Sequence, residues 1–196
     1  MRFESAAGVE KALAHLGALL DASQTGPVTL LVCGGVSLMV LGHVARTTHD
    51  VDLLACLAAC PVRENEIEHR SELAEPVRTL ARRVADDLGL DADWLNLGPA
   101  SLVQLGLPAG LLQRAERRSY GGTLSALYVG RLDQIHLKLY ASLGREERHV
   151  ADLFALKPSD EELVQAARWI MAVAGDMVLE ADILRLLRDL GCERDP

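Results

Sequence analysis

Asp50 and Asp52 follow, at the end of the stretch "CGGVSLMVLGHVARTTHDVDLL", on the glycines Gly34 and Gly35 near its start. Side chains on an extended strand alternate with period two, so residues at i and i+2 project from one face. Two like charges held that close beside a buried strand repel unless a cation neutralises them, and the spacing therefore predicts a bound divalent metal. Carboxylate oxygens favour a hard cation, Mg2+ or Mn2+, and Mg2+ usually completes its octahedron with water and phosphate oxygens. A glycine pair opening a helix suits the same purpose, because backbone without Cβ atoms presents its N–H groups to a polyphosphate at close range. An Asp-x-Asp alone is common at solvated strand ends, and a Gly-Gly alone is weaker still. Their combination across strand, helix and strand is the specific signal.

The elements that must position these residues are legible in the pattern around them. "ESAAGVEKALAHLGALL", residues 4–20, repeats apolar positions at three and four after Ser5, a candidate cap, and predicts an amphipathic helix. "VTLLVC" is continuously apolar and predicts a strand buried on both faces. Gly34 and Gly35 end it, "VSLMVLGHV" predicts a helix closing near Gly42, and "HDVDLLACL" predicts a second buried strand. After a charged segment at 63–70, "SELAEPVRTLARRVADDLGL" has helical period with Pro76 near its first turns. "LSALYVGR" is the third strand candidate. "DQIHLKLYASL", with Asp133 as its cap, "EERHVADLFAL", the run after a Ser159–Glu162 capping box, and "ADILRLLRDLG" stopped by Gly191 predict helices to the C-terminus. The fold expected is α/β (α+β): a small mixed sheet flanked by helices with a helical C-terminal part. The core spans 1–156 with a helical insertion around 63–112, and 157–196 packs on it as one compact unit.

Composition narrows the function classes. In 196 residues, Lys and Arg total 20 against 28 acidic residues, a net charge of −8, so broad attraction to nucleic acid is not expected and an RNA contact needs a local basic patch. Arg114, Arg117 and Arg118 with Tyr120 form the densest such patch, with a solvated helix end as its plain reading and tRNA phosphates as its functional one. No stretch reaches the roughly 18 apolar residues of a membrane span, and the opening "MRFESAAGVE" lacks the features of a secretory signal, which predicts a cytoplasmic protein with no membrane partner. The cysteines Cys33, Cys56, Cys60 and Cys192 are too unevenly spaced for a disulfide framework and are expected to be reduced. Cys56, Cys60 and His69 lack the fourth ligand and paired spacing of a zinc site. Trp94 and Trp169 read as packing residues.

The stretch "GGVSLMVLGHVARTTHDVDLL" resembles the signature of the nucleotidyltransferase superfamily with the DNA polymerase β-type core: Gly-Gly or Gly-Ser, a helix, then Asp-x-Asp. Within it Arg46, Thr48, Asp50 and Asp52 match the R-x-T-x-D-x-D form of the AbiEii toxin-like nucleotidyltransferases and a related bacterial family, DUF6036. "DQIHLKLYASLGREERHVADLFALKPSDEEL" is similar to the group's second block, a K-L-x-A helix followed by an Arg and a D-L helix, and "DWLN" at 93–96 resembles the DUF6036 pattern. The resemblance implies that Gly34 and Gly35 cradle a nucleoside triphosphate and that Asp50 and Asp52 hold Mg2+. It implies that Lys138 contacts phosphates, that Asp152 is the acidic residue after it and a candidate base, and that Arg46, with Thr48 beside it, steadies the loop or reaches the nucleotide. The reaction implied is transfer of a nucleotide to a hydroxyl of an RNA such as tRNA, or of a protein, in a toxin–antitoxin setting with an antitoxin partner. The family's usual third carboxylate, from a later strand, is missing from "LSALYVGR", leaving Asp133 or Asp152 as substitutes. That departure keeps a rival in play, a nucleotide- or partner-binding protein on the same fold without catalysis. From the residues alone, Lys138 also reads as a surface lysine on an apolar helix and His149 as a solvent-face residue.

Overall fold

A computed structural model describes residues 2–58, 60, 63–144, 147–175, 178, 180–194 and 196, with the side chain of residue 147 outside the description. It is a mixed α/β protein whose contacts divide the chain into two units, Met1–Gly130 and Arg131–Pro196. The division falls at Gly130 rather than at residue 156, because the helices before and after 156 both pack on the helix that begins at Arg131.

The first unit is built around a mixed sheet. β1 (Val28–Val32) is buried at every residue, as its unbroken apolar run requires. β2 (Val51–Leu57) pairs antiparallel with it, β3 (Leu95–Asn96) runs parallel to β2, β5 (Leu124–Tyr128) runs parallel to β1, and β4 (Glu116–Tyr120) is antiparallel to β5, for an order β3-β2-β1-β5-β4. "LSALYVGR" therefore supplies the fifth strand of the chain, not the third. β3 lies inside the stretch expected to be a helical insertion, and β4 occupies the basic segment read as a helix end.

One face of this sheet carries the core. Val9, Leu13, Leu16 and Leu20 of α1 (Ala6–Ala22) and Val77, Ala81 and Val84 of α3 (Glu75–Leu88) meet Leu30, Val32, Val51, Leu53, Ala126 and Tyr128 there. Ser5 is the N-cap residue of α1 but makes no side-chain cap bond. Pro76 sits in the first turn of α3, where its missing N–H costs nothing, and Gly89 closes the helix in the left-handed region at φ 65°. Trp94 is fully buried, donates from Nε1 to the Ala81 carbonyl at 2.8 Å and meets the Phe3 ring edge-on at 6.1 Å.

The pairing of β1 with β2 contains a bulge. Val32 lies opposite Leu53 and Leu31 opposite Ala55, so Leu54 has no partner on β1. Before the bulge Val51 and Leu53 face the core and Asp52 faces away; after it Cys56 takes the core side. Burial raises the Cys56 thiol to about 11, well above its ordinary value, and holds it protonated at neutral pH.

The second unit is helical: α6 (Arg131–Ser142), α7 (Glu147–Leu156), α8 (Asp160–Ala174) and α9 (Glu180–Asp189). The expected start of α7 at residue 146 lies outside the described residues. α6 begins at Arg131, so Asp133 lies within its first turn instead of capping it. The capping box of α8 is present: Ser159 Oγ accepts from the Glu162 amide at 3.3 Å and the Glu162 carboxylate accepts from the Ser159 amide at 2.9 Å. Arg131 binds the same carboxylate and donates to the Leu156 and Lys157 carbonyls at 2.7 and 2.9 Å, tying α6 to the corner between α7 and α8. Trp169 packs edge-on against His136 and Tyr140.

Candidate functional site

The expected site residues fall in both units. Gly34, Gly35, Arg46, Thr48, Asp50 and Asp52 lie in the first, Lys138 and Asp152 in the second.

β1 delivers the chain to Cys33, whose amide donates to the Asp52 carbonyl at 2.9 Å and fixes the turn against β2. α2 (Gly34–Val40) starts there. Gly34 has φ +69°, a conformation that a β-carbon disfavours, and a Cβ at this position would stand 2.8 Å from Asp52 Oδ2. A Cβ on Gly35 would stand 2.9 Å from Arg46 Nη2. The two glycines thus make room for a carboxylate and a guanidinium over consecutive residues. Arg46 folds back from the loop after α2 onto the turn and also donates to the Thr47 carbonyl at 3.2 Å.

That loop is held at its far end by the start of the chain. Phe3 and Thr48 exchange two backbone bonds, at 2.7 and 3.0 Å, and Thr48, buried, donates from Oγ1 to the Asp50 carbonyl at 3.4 Å. Phe3 is anchored in the core by Trp94, so the backbone leading into Asp50 is pinned from both sides.

Asp50 precedes the first residue of β2, and its orientation follows from a neighbour. Asn96 of β3 is in register with Asp52, which places their side chains on one face of a parallel pair. Asn96 Nδ2 donates to Asp50 Oδ2 at 3.4 Å. Asp50 therefore shares the face of Asp52 and Asn96, opposite the hydrophobic core. Asn96 itself is fixed by the Gly98 amide, which donates to its Oδ1 at 2.8 Å. Asn-x-Gly is the signature of an Asx turn and was the sequence signal for this residue, hidden by a strand only two residues long.

Two hard carboxylate donors on one face, with a guanidinium beside them, suit Mg2+ or Mn2+ that takes its remaining oxygens from water and phosphate. Among the described residues no group of three or more His, Cys, Asp and Glu side chains gathers that could hold a metal. The pair would then depend on a ligand to complete the coordination.

In the second unit Lys138 and Asp152 find each other. Nζ lies 2.7 Å from Asp152 Oδ2, with the side chains 8% and 2% exposed, and His149 Nδ1 is 3.4 Å from the same nitrogen. Lys138 is a buried, ion-paired residue, so the surface-lysine reading fails. α6 is buried around most of its circumference, polar residues included, and the partner that neutralises the lysine comes from α7. His149 turns toward that pair.

The basic patch takes a different form from a helix end. Arg117 and Arg118 stand on β4, where Arg118 binds Glu10 and Glu116 and stacks over the Tyr128 ring at 5.6 Å, while Arg117 donates to Ser125 Oγ at 3.2 Å. Arg114 donates to the Ala109 carbonyl at 2.7 Å. Compared with known proteins, the chain matches no family model, no curated protein and no solved structure.

Proposed function

We propose that the protein is a Mg2+-dependent nucleotidyltransferase, moving a nucleotide from a nucleoside triphosphate to a hydroxyl of an RNA such as tRNA, or of a protein. The observation that carries this reading is the placement of Asp50 and Asp52 on one sheet face, with the Asp52 carboxylate against Gly34 and the Arg46 guanidinium against Gly35. The resemblance of "GGVSLMVLGHVARTTHDVDLL" to the polymerase β-type signature supports it.

In this chemistry the acceptor oxygen attacks the α-phosphorus, the bond to the β-phosphate oxygen breaks, and pyrophosphate leaves with the electron pair. Asp50 and Asp52 would hold a divalent cation, which when bound would supply charge neutralisation for the triphosphate, and the turn at Gly34 and Gly35 lets the triphosphate approach the backbone. Arg46 adds positive charge at the same turn, and Thr48 steadies the backbone of Asp50. The hydroxyl proton passes to water; the base's role that the resemblance assigns to Asp152 and the phosphate contact it assigns to Lys138 do not suit a pair buried against each other in the second unit. The AbiEii-like pattern adds a toxin–antitoxin setting and an antitoxin partner to the proposal.

A second reading, nucleotide or partner binding without turnover, is favoured by one observation. β3 offers an amide, Asn96, and β5 no acidic residue where a third carboxylate is expected. Incubation with labelled triphosphates, Mg2+ and total tRNA separates the two. Label transferred by the wild type and lost in Asp52→Ala supports the enzyme, whereas triphosphate binding without transfer supports the rival.

A further inference from the structure

We propose that Asn96 is the positioning residue of the carboxylate pair, and that its neutral amide makes cation binding there depend on phosphate. The proposal rests on the reading of Asp50 and Asp52 as a cation site. An amide nitrogen can only donate, so the Gly98 N–H at 2.8 Å identifies the atom facing the turn as Oδ1. Nδ2 is thereby directed at Asp50, 3.4 Å from Oδ2, and the carboxylate accepts.

Two consequences follow. Asp50 lies outside the strand ladder, and this bond is its side-chain link to β3, so Asn96 keeps the carboxylate on the face of Asp52. Asn96 also occupies the position opposite Asp52 from which an acidic side chain would bring a third charge to the site. With an amide there the pair carries two negative charges, and its oxygen is committed to Gly98. A divalent ion held by two carboxylates and water alone is weakly bound, and phosphate oxygens that replace part of that water strengthen it, which couples cation binding to the triphosphate. Gly98 belongs to the same device, because a Cβ on it would stand 2.9 Å from Asn96 Oδ1 and push the amide aside.

The test measures Mn2+ by the electron paramagnetic resonance signal of the free ion, with and without a non-hydrolysable ATP analogue and against a protein-free titration that accounts for the Mn2+–analogue complex, on variants whose fold is checked by circular dichroism. The wild type is expected to bind Mn2+ alone weakly and at least about tenfold more tightly with the analogue. Outer-sphere partners of metal ligands are worth roughly ten- to a hundredfold in affinity, so Asn96→Ala should lose at least about tenfold of the analogue-dependent binding. Gly98→Ala should lose in the same direction while leaving every donor atom in place. Asn96→Asp should bind Mn2+ alone at least about tenfold more tightly than the wild type, and Asp52→Asn in that background should abolish the gain.

Wild-type affinity in both Asn96→Ala and Gly98→Ala, or no gain in Asn96→Asp, overturns the role of Asn96. If the wild type shows the analogue-dependent binding in that case, the nucleotide reading survives without it. If the analogue never tightens binding but Asn96→Asp gains Mn2+, the positioning role stands and the phosphate coupling, with the nucleotide reading, falls.

Discussion

Removing one partner of the Lys138–Asp152 pair tests the burial of charge in the helical unit. Across 2.7 Å, Coulomb's law at an effective dielectric of about 20 gives roughly 6 kcal/mol of gross attraction, most of which offsets the desolvation of two nearly inaccessible charges. The net worth of the pair is therefore small, but the cost of breaking it is large. Asp152→Ala leaves the Lys138 ammonium buried against His149 without a counter-charge, and such losses run to about 3–5 kcal/mol. With a urea dependence near 2 kcal/mol per molar, the unfolding midpoint falls by roughly 2 M. Lys138→Met should fall comparably. The double variant Lys138→Met/Asp152→Leu removes both charges, fills similar volume, and should return to within about 1 kcal/mol of the wild type. Equilibrium urea unfolding followed by circular dichroism reads all four proteins. Single variants as stable as the wild type, or a double variant as unstable as the singles, would mean that the two charges are not buried against each other.

Two further outcomes follow from packing and titration. Gly17→Ala should destabilise despite the better helix propensity of alanine, because a Cβ there would lie 1.7 Å from the Tyr120 carbonyl oxygen, backbone against backbone. A loss of about 1–3 kcal/mol lowers the melting temperature by several degrees, whereas a rise would mean that α1 and β4 are not in that contact. Arg131 beside Glu162 holds its carboxyl below the ordinary glutamate value of 4.5, so the pair's contribution is fully present above about pH 4.5 and lost as pH falls through the lowered value. The stability difference between the wild type and Glu162→Gln should be constant from pH 5 to about 7 and shrink below 4.5; a difference that persists undiminished under acid conditions contradicts it.

Where local chemistry decides structure, the sequence was readable. "VTLLV" became a strand buried throughout, Pro76 took the first turn of α3, and Ser159 with Glu162 formed the box that starts α8. What stayed hidden depends on partners distant in sequence. "ERRSY" is an edge strand with only Tyr120 buried, stabilised by its hairpin with β5 and by Arg118 reaching Glu10 on α1. The bulge at Leu54 is a property of two strands and has no signature in one. Asp-x-Asp showed the candidate pair, but the amide that orients Asp50 comes from a strand too short to carry a period. Likewise Lys138 among apolar neighbours looked like an exposed lysine, since its counter-charge sits on the next helix.

Crystals soaked with Mn2+ and a non-hydrolysable triphosphate, measured at a wavelength where manganese scatters anomalously, test the proposal that Asp50 and Asp52 grip one divalent ion beside the Gly34–Gly35 turn. One anomalous peak is expected at about 2.0–2.3 Å from an oxygen of each aspartate, with the phosphates against the turn. A triphosphate bound away from the turn, or a turn and carboxylate pair without manganese at saturating concentration, would contradict it.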